Sequence, residues 1–379
     1  MRIFIIPSWH PTPEKPNWCN WIKPHIELSK SIVDEVVVIQ VDLESQNNSD
    51  EIIELQNNHY YIAAGKSKIK YQRTIFSHGK ILRDYHSKLE SIFKFAIERH
   101  GIPDLIHAHV SIPAGYGAGL LGKKHNIPVI VTEHYSGFFS DNKFPWRLGS
   151  FYRKMRNNIN GFYTVSPGFK DHIENSSGLR VDGVLPNPIN TDLFFPEKQL
   201  VKKKRLRFIT TGNFGLRKGT DILLKAFAEL PSNIDWQLTI IGKQDLKNQA
   251  LWNALLEGLP QERIKLIDPV PQKKLREIYS QNDVYIVSSR IETANVSMLE
   301  AMACGCYVIS SKIKAPETLL SSQVANTYNL SVEGLQNAIV EASNIDLPNR
   351  AELRQFVLDH YSHNSLQKKL KITYLKYTK

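Results

Sequence analysis

Residues 283–311 read DVYIVSSRIETANVSMLEAMACGCYVISS. The segment begins and ends with short runs rich in β-branched and aromatic side chains, which predict two strands. Between them, Asn295 is a suitable N-cap for a helix that begins near Val296. A strand, a loop, a helix and a strand in this order predict a βαβ unit of a parallel sheet. Glu292 then lies in the loop, and Glu300 lies about one turn into the helix.

The same alternation extends along the whole chain and predicts an α/β fold. Strands that are covered on both faces are nearly continuous apolar runs. Five such runs occur in the first half and five in the second, namely RIFIIP, EVVVIQV, DLIHAHV, PVIVTEH and GFYTVS, then LRFITTG, WQLTIIG, RIKLID, DVYIVSS and CYVISS. Amphipathic segments at 80–99 and 114–125 predict helices. The polar segment 43–58 predicts an exposed loop or a short helix.

The chain has 379 residues, more than one hydrophobic core usually serves, so two domains are expected. Segment 185–207, LPNPINTDLFFPEKQLVKKKRLR, is rich in proline and lysine, as is typical of a connection between domains. We therefore expect one domain at residues 1–186 and a second at 187–361. If both are doubly wound, Rossmann-like sheets, ligands bind at the carboxyl ends of their strands, in a cleft between the domains.

Composition limits the classes of partner. The formal net charge of +11 favours phosphates, nucleic acid or an acidic membrane surface, although scattered charge that only aids solubility explains it too. No zinc motif and no stacked-aromatic signature occurs, so nucleic acid is not expected. Segment 143–158, KFPWRLGSFYRKMRNN, combines five cations with aromatic residues. It fits either a membrane interface or a solvated face beside a core helix.

The sequence also bears on location. No apolar run reaches the roughly 18 residues that a membrane span requires. The start, MRIFIIPSWHP, predicts a first core strand rather than a secretory signal. Cys19, Cys304 and Cys306 have neither a metal-ligand spacing nor an even number for disulfides. These features predict a cytoplasmic protein.

A glycine-rich segment, SIPAGYGAGLLG, follows a predicted strand. Gly115 and Gly117 fit a dinucleotide-binding fingerprint, but Leu120 stands where its next glycine is required. The fingerprint therefore fails, and the small residues indicate close helix packing instead.

Two loops in the second half carry candidate binding residues. In TTGNFGLRKGTDILLKAF, a strand ends near Gly212 and a helix begins near Thr220, so Arg217 and Lys218 lie at a strand-to-helix corner. Cations and backbone N–H groups at such a corner suit a phosphate, although a solvated charge pair is also common there.

The second loop is the segment quoted first. Its helix start, at Asn295, Val296 and Ser297, is a second anion site because the first N–H groups carry partial positive charge. Glu300 has apolar neighbours, and a shielded carboxylate requires a partner. Either the two hydroxyls of a diol such as a ribose or a salt bridge within the core would supply one.

Together the two corners resemble the retaining glycosyltransferases of family 4, which have the GT-B fold. Lys218-Gly219 matches the end of that family's glycine-rich corner. Glu292 and Glu300 match its Glu-x7-Glu motif, and EAMACG, which begins at Glu300, matches the segment that belongs to it. The resemblance covers essentially the whole chain and is strongest over 210–311.

Two further segments resemble parts of the family. VLPNPINTDLFFP at 184–196 is similar to its interdomain segment, and PSWHPTPEKPNWCNWIKPHIELS at 7–29 is similar to its first strand and acceptor-side loop. The resemblance implies two Rossmann-like, doubly wound domains that face a cleft. It also implies a final helix over 362–379 that packs back on the first domain.

The resemblance also implies roles for individual residues. Lys218 would contact the donor diphosphate, Glu300 the ribose hydroxyls and Glu292 the hydroxyls of the donor sugar. His134, at the end of the strand in PVIVTEHYSGF, would lie close to the anomeric carbon, although a buried core histidine is the alternative interpretation. His134, Glu292 and Lys218 form the predicted catalytic set. The predicted donor-binding residues are Asn213, Arg217, Lys218, Glu292, Ala294, Asn295, Val296, Ser297 and Glu300.

The chain departs from the family pattern at several positions. Asn213 stands where the family often has an arginine, which leaves Arg217 as a possible replacement for that cation. Thr293-Ala294-Asn295 replaces the usual Gly-Phe-Gly. Proline follows Asn187 where the family usually has glycine, and in the acceptor-side loop Cys19 or Asn20 lies where glycine is common.

The expected reaction is transfer of a hexosyl or N-acetylhexosaminyl unit from a UDP- or GDP-sugar to an acceptor hydroxyl, with anomeric retention and without a metal or cofactor. The expected acceptor is a lipid-linked saccharide of a cell-surface polysaccharide such as lipopolysaccharide, at the inner face of the cytoplasmic membrane. Two alternatives are a nucleotide-sugar epimerase of the same fold and a non-catalytic basic protein that binds phosphates or nucleic acid.

Overall fold

The computed structural model describes residues 1–11, 19, 21–42, 52–54, 60–64, 75–140, 149–197, 205–313 and 316–378. The chain forms two compact units. Unit 1 is Met1–Asn187 together with Leu366–Lys379, and unit 2 is Pro188–Ser365. Each unit is built on one sheet. The last residues of the chain therefore belong to the first unit, although they follow the second in sequence.

Unit 1 has a mainly parallel sheet. Its strands are β1 (Arg2–Pro7), β2 (Glu35–Asp42), β3 (Ile52–Glu54), β4 (Tyr60–Ala64), β5 (Leu105–His109), β6 (Val129–Glu133), β7 (Gly161–Thr164) and β8 (Gly183–Val184). Their spatial order is β3-β4-β2-β1-β5-β6-β7-β8, and β3 pairs antiparallel with β4. The chain adds strands on one side of β1 and then returns to its other side. This reversal creates a switch point between β1 and β5.

Unit 2 has a parallel sheet. Its strands are β9 (Leu206–Thr211), β10 (Trp236–Ile241), β11 (Ile264–Ile267), β12 (Val284–Val287), β13 (Tyr307–Ser311) and β14 (Ala325–Tyr328). Their spatial order is β11-β10-β9-β12-β13-β14. The reversal here lies between β9 and β12, so the loops after these two strands meet at the switch point where ligands of open α/β sheets bind.

Helices follow most of the strands. They are α1 (Ile22–Lys30), α2 (Ile75–His100), α3 (Tyr116–His125), α4 (Gly137–Ser140), α5 (Gly149–Asn157), α6 (Pro167–Ser177), α7 (Thr220–Ala228), α8 (Gln249–Glu257), α9 (Gln272–Ser280), α10 (Val296–Ala303), α11 (Val332–Asn344), α12 (Arg350–Tyr361) and α13 (His363–Tyr377). Apart from the first residues of α13, α1 to α6 and α13 belong to unit 1, and α7 to α12 belong to unit 2.

Helices cover both faces of the unit 1 sheet. Successive side chains of a strand point to opposite sides, so each strand contributes to both cores. Ile3 and Ile5 of β1 pack in one core with residues of α1 and with Tyr374 of α13. Phe4, between them, contacts Phe93 of α2 with 5.7 Å between ring centroids. Coverage on both faces explains why these strands are continuous apolar runs.

All ten predicted strands are present, and both units confirm the predicted α/β class. The expectation of a loop or short helix over 43–58 is wrong for Ile52–Glu54, which form β3 by pairing with β4. Sequence polarity does not reveal this pairing. Residues 43–51 and 55–59 lie outside the described part of the chain.

The glycine-rich segment behaves as predicted. A Cβ atom on Gly117 would lie 2.7 Å from the side chain of Leu89 on α2, so the missing side chain permits the two helices to pack closely. Among the described residues, no helix is long and apolar enough to cross a membrane. The three cysteines are free thiols.

Candidate active site

The first corner of the candidate site follows β9 and leads into α7. A short 3₁₀ turn, Leu216–Lys218, lies between them, and Gly219 after it has φ of +65°. A Cβ atom on Gly219 would lie 1.8 Å from the carbonyl oxygen of Ser288, just after β12. Only glycine fits here, because the two corners of the switch point are in direct contact.

Lys218 and Glu292, predicted on two separate corners, form an ion pair. Glu292 Oε1 also accepts a hydrogen bond from Ser289 Oγ at 2.9 Å, and Ser288 Oγ donates to the carbonyl oxygen of Lys218 at 2.9 Å. The side chains of Lys218 and Glu292 are 24% and 11% exposed. An ammonium group has three donors, so Lys218 can retain Glu292 and still bind a second anion.

Arg217 and Asn213 are exposed, and neither side chain forms a hydrogen bond or an ion pair with a described residue. Arg290, which no sequence pattern indicated, joins the two corners. Its guanidinium donates to both carboxylate oxygens of Asp221 at 2.7 Å, and its backbone N–H donates to the carbonyl oxygen of Arg217 at 2.8 Å. Such a bidentate pair fixes the relative position of the two loops.

The start of α10 has the predicted cap. Asn295 has φ of +48°, and its side chain accepts a hydrogen bond from the N–H of Met298 at 3.2 Å. Asparagine tolerates this left-handed conformation better than most residues, so it can stand where the family has glycine. The backbone N–H groups of Val296 and Ser297 have no partner among the described residues. Ala294, the residue before Asn295, is buried.

Glu300 is buried in α10, with 9% of its surface exposed. Its carboxylate has neither a hydrogen bond nor an ion pair with any described residue, so the alternative of a core salt bridge is not observed there. Burial raises the pKa of Glu300 to about 7. A buried carboxylate without a donor costs free energy, and hydroxyl donors from a ligand would recover it.

His134 follows β6, at the carboxyl edge of the unit 1 sheet. Its ring stacks on Trp21 with centroids 4.0 Å apart, and its Nε2 shares a hydrogen bond of 3.0 Å with Nδ1 of His109. Burial, assisted by the nearby His25 and His107, lowers the pKa of His134 well below its usual value. This imidazole is therefore neutral at pH 7 and can donate or accept a hydrogen bond.

His134, the one histidine predicted from the sequence, belongs to a larger group of imidazoles. The histidine cluster consists of His25, His107, His109 and His134. His107 is held between Tyr374 Oη and Thr132 Oγ1, each at 2.8 Å, and burial lowers its pKa to about 3. His107 and His109 are alternate residues of β5 and so lie on the same face of the sheet. The sequence HAH at residues 107–109 could have indicated that two histidines lie side by side on one face of a strand.

Glu133 was also missed. Its buried carboxylate accepts hydrogen bonds from the backbone N–H groups of Ser111, His134 and Tyr135 at 2.9, 2.8 and 2.7 Å. Burial raises the pKa of Glu133, and these hydrogen bonds oppose that effect. The carboxylate fixes the backbone at the point where the chain leaves β6, and so it fixes the origin of the His134 side chain.

The predicted site residues thus fall into two groups. Unit 2 brings Lys218 and Glu292 into contact and places Glu300 on the helix that follows Glu292. Unit 1 places His134 in the histidine cluster. Within the described stretches, no group of three or more His, Cys, Asp or Glu side chains is arranged to hold a metal ion. The independence from metals and cofactors stays a prediction.

Two family models match the chain. The model described as Glycosyltransferase Family 4 matches residues 59–193, and the model described as Glycosyl transferases group 1 matches residues 192–356. The two matches adjoin close to the boundary between the units.

Curated relatives agree with these models. The GPI3 subunit of phosphatidylinositol N-acetylglucosaminyltransferase from Saccharomyces cerevisiae is 22% identical over 275 residues, which cover 70% of this chain and 59% of the yeast protein. An uncharacterized glycosyltransferase of Methanocaldococcus jannaschii is 26% identical over 290 residues, which cover 74% of this chain and 71% of the relative. The chain therefore matches less than two thirds of the yeast protein's length.

Solved structures share the fold. A sucrose-phosphate synthase from Thermosynechococcus elongatus superimposes with a TM-score of 0.75 at 18% identity, over 99% of both chains. The Anabaena protein HepE in complex with UDP superimposes with a TM-score of 0.68 at 13% identity, over 99% of this chain and 100% of that one. The apo form of the lipopolysaccharide outer core galactosyltransferase WaaB gives 0.68 at 14%, over 99% of both. The predicted GT-B fold is confirmed.

Proposed function

The chain belongs to glycosyltransferase family 4, and on this premise we propose that it transfers a hexosyl or N-acetylhexosaminyl unit from a UDP- or GDP-sugar to an acceptor hydroxyl, with anomeric retention. The observation that carries the proposal is Glu300, a buried carboxylate without a donor among the described residues. It lies on α10, whose first N–H groups also have no partner there. A nucleotide sugar supplies both a diol and an anion.

The donor diphosphate binds at the switch point of unit 2. The Lys218 ammonium and the N–H groups of Val296 and Ser297 donate to its oxygens. Negative charge grows on the diphosphate as the bond to the sugar breaks, so these donors stabilise the transition state more than the bound donor. The exposed Arg217 and Asn213 lie at the same corner.

Glu300 accepts hydrogen bonds from the two ribose hydroxyls. Glu292 holds Lys218 in place and accepts a hydrogen bond from a hydroxyl of the donor sugar through its second oxygen. Its first oxygen already accepts from Lys218 and Ser289. His134 contacts the transferred sugar as a neutral imidazole, because burial prevents its protonation at pH 7.

We propose a lipid-linked saccharide as the acceptor, in the synthesis of a cell-surface polysaccharide such as lipopolysaccharide at the inner face of the cytoplasmic membrane. Two similarities support this choice. The yeast relative is named for transfer of N-acetylglucosamine to phosphatidylinositol, and the similar WaaB structure is named as a lipopolysaccharide galactosyltransferase.

A thermal-shift screen of UDP, GDP and their sugars tests the donor site. We expect one nucleotide series to raise the melting temperature of the native protein, and we expect Glu300→Gln to reduce that rise. Glu262→Gln is the matched control, because Glu262 is an exposed carboxylate of the same unit without an ion pair to a described residue. A rise that is unchanged in the Glu300 variant would refute the role of Glu300.

The reaction itself is tested with a labelled nucleotide sugar, with and without an extracted lipid-linked saccharide. We expect transfer of label and release of nucleoside diphosphate only when the acceptor is present. Conversion of the donor sugar without any acceptor would instead indicate an epimerase. Strong, salt-dependent duplex binding without any response to nucleotide sugars would indicate a nucleic-acid-binding protein.

A further inference from the structure

Helix α13 has one face fixed in unit 1. Leu366, Leu370 and Tyr374 are buried in the core that also contains residues of β1 and α1. The hydroxyl of Tyr374 shares hydrogen bonds of 2.8 Å with Ser29 Oγ and with His107 Nδ1. The orientation of the helix is therefore set by its buried side, and the residues on its other side have a defined direction.

The opposite side of α13 is basic and apolar. We call it the outer face, and it consists of Lys368, Lys369, Lys371, Ile372, Leu375 and Lys376. Ile372 and Leu375 are large apolar side chains with 58% and 41% of their surface exposed. They lie three residues apart, so they are neighbours on the helix surface, and lysines flank them on both sides.

The lysines of the outer face have no acidic partner among the described residues. Some lysines on other helices of unit 1 do have one, as in the pairs Lys30–Glu27, Lys124–Glu90 and Lys170–Glu174. From residue 363 to residue 379 the sequence contains five lysines and no aspartate or glutamate. The positive charge of this helix is therefore uncompensated.

The net positive charge of the whole chain is likewise concentrated in unit 1. Unit 1 contains 27 of the 48 basic residues but only 18 of the 37 acidic ones, so it carries most of the net positive charge. Solubility alone explains exposed lysines, but it does not explain two large apolar side chains exposed between them. Lysines around an exposed apolar strip are the composition of a helix that lies in a membrane interface.

We propose that the outer face of α13 binds an anionic membrane surface. Ile372 and Leu375 enter the boundary between headgroups and acyl chains, and the lysines contact lipid phosphates. Each lysine near an anionic surface strengthens binding about fivefold at moderate salt. The outer face contains none of the proposed donor-binding residues, so membrane binding holds or fails independently of the proposed transfer reaction.

Sedimentation with vesicles tests the inference. We expect the native protein to bind vesicles of phosphatidylcholine with phosphatidylglycerol, to bind pure phosphatidylcholine weakly, and to lose binding as salt is raised. Lys368→Glu/Lys371→Glu/Lys376→Glu should reduce binding to the anionic vesicles by about 100-fold or more. Ile372→Ser/Leu375→Ser, which keeps every charge, should reduce it by about tenfold.

The matched control is Lys225→Glu/Lys265→Glu/Lys273→Glu, which changes the net charge equally but uses exposed lysines of unit 2. It should bind vesicles nearly as well as the native protein. Native binding by the α13 lysine variant would overturn the inference. So would an unaffected Ile372/Leu375 variant, because binding by charge alone would fit nucleic acid or any other polyanion. The thermal shift caused by UDP or GDP should be the same in all variants, which separates this test from that of the donor site.

Discussion

The two sheets place different chemistry at equivalent positions. In unit 2 the loops after β9 and β12 bring together a lysine and a glutamate that are partly exposed. In unit 1 the carboxyl ends of β5 and β6 carry His109 and His134, which are joined by a hydrogen bond and are neutral. Parallel topology determines where strand-end residues meet, and residue type and burial determine whether the site is charged.

In the proposed reaction, this difference gives the two units different tasks. Charged donors suit the diphosphate, whose charge increases during transfer. Neutral imidazoles suit hydroxyl groups, because they donate and accept hydrogen bonds without adding charge.

The strongest test removes two ionisable side chains of the candidate site in unit 2. Lys218→Ala/Glu300→Ala should reduce sugar transfer by at least about 1000-fold, because a preorganised donor to the leaving group alone contributes about 100-fold or more. Initial rates with labelled donor measure the loss. Lys265→Ala/Glu262→Ala, which removes one exposed residue of each charge from the same unit, should remain near native activity. Undiminished transfer by the first variant would refute the site.

The second test uses the histidines of unit 1. The pKa of His107 is about 3, and burial also lowers the pKa values of His109 and His134, so the folded unit binds fewer protons than the unfolded chain below pH 6.5. Stability is therefore retained above pH 6.5 and lost as pH falls, by up to about 4 kcal/mol per pH unit for three such groups. Hydrogen exchange of β5 and β6 amides between pH 5 and pH 7.5 measures this loss.

Unit 2 provides the control for the second test, because burial shifts the pKa of Glu300 in the opposite direction to the pKa values of the histidines. A carboxyl whose pKa is raised to about 7 binds a proton more readily in the folded state. Its contribution therefore lowers stability as pH rises from about 4.5 to about 7. Equal acid sensitivity of amide exchange in the two sheets would contradict the assigned difference between the units.

The third test concerns donor affinity. In the proposed site, ribose hydroxyls donate to the ionised form of Glu300, so affinity for a nucleotide sugar should rise about tenfold between pH 6 and pH 8, across the pKa of about 7. Calorimetric titration with the nucleotide sugar identified by the screen measures this rise. Glu300→Gln should bind more weakly and with a flat pH profile. The same pH dependence in that variant would assign the titration to another group.

The smallest expected effect is at the start of α10. Asn295→Ala loses the side-chain cap and places alanine in a left-handed conformation, so it should cost about 1–2 kcal/mol of stability. Asn295→Gly, which accepts that conformation, should cost only a few tenths of a kcal/mol. Denaturant unfolding of both variants measures the difference. Equal losses would show that the cap, rather than the backbone conformation, dominates.

Local patterns predicted much of this molecule. Continuous apolar runs identified ten strands, and the N-cap at Asn295 and the start of α10 were read directly from neighbouring residues. These features depend on interactions within a few residues, which sequence spacing expresses. Strand β3 was missed, because a polar segment becomes a strand here only by pairing with β4.

The candidate site was predicted in part. Spacing and the resemblance to family 4 pointed to Lys218, Glu292 and Glu300. They did not reveal the ion pair between the first two, because β9 and β12 are neighbours although β10 and β11 separate them in sequence. The hydrogen bond that joins His109 to His134 crosses two adjacent strands. Arg290 was missed because its partner Asp221 lies 69 residues earlier in the chain.

The sequence alone specifies the α/β class, the two strand-to-helix corners and the chemical character of the residues in them, because each depends on local periodicity and residue type. The three-dimensional fold was needed to show which of these residues meet, which carboxylate and imidazoles are buried, and which side of α13 faces outward. Contacts between distant segments set those outcomes, since burial and hydrogen-bond partners depend on the order of strands in a sheet rather than on order along the chain.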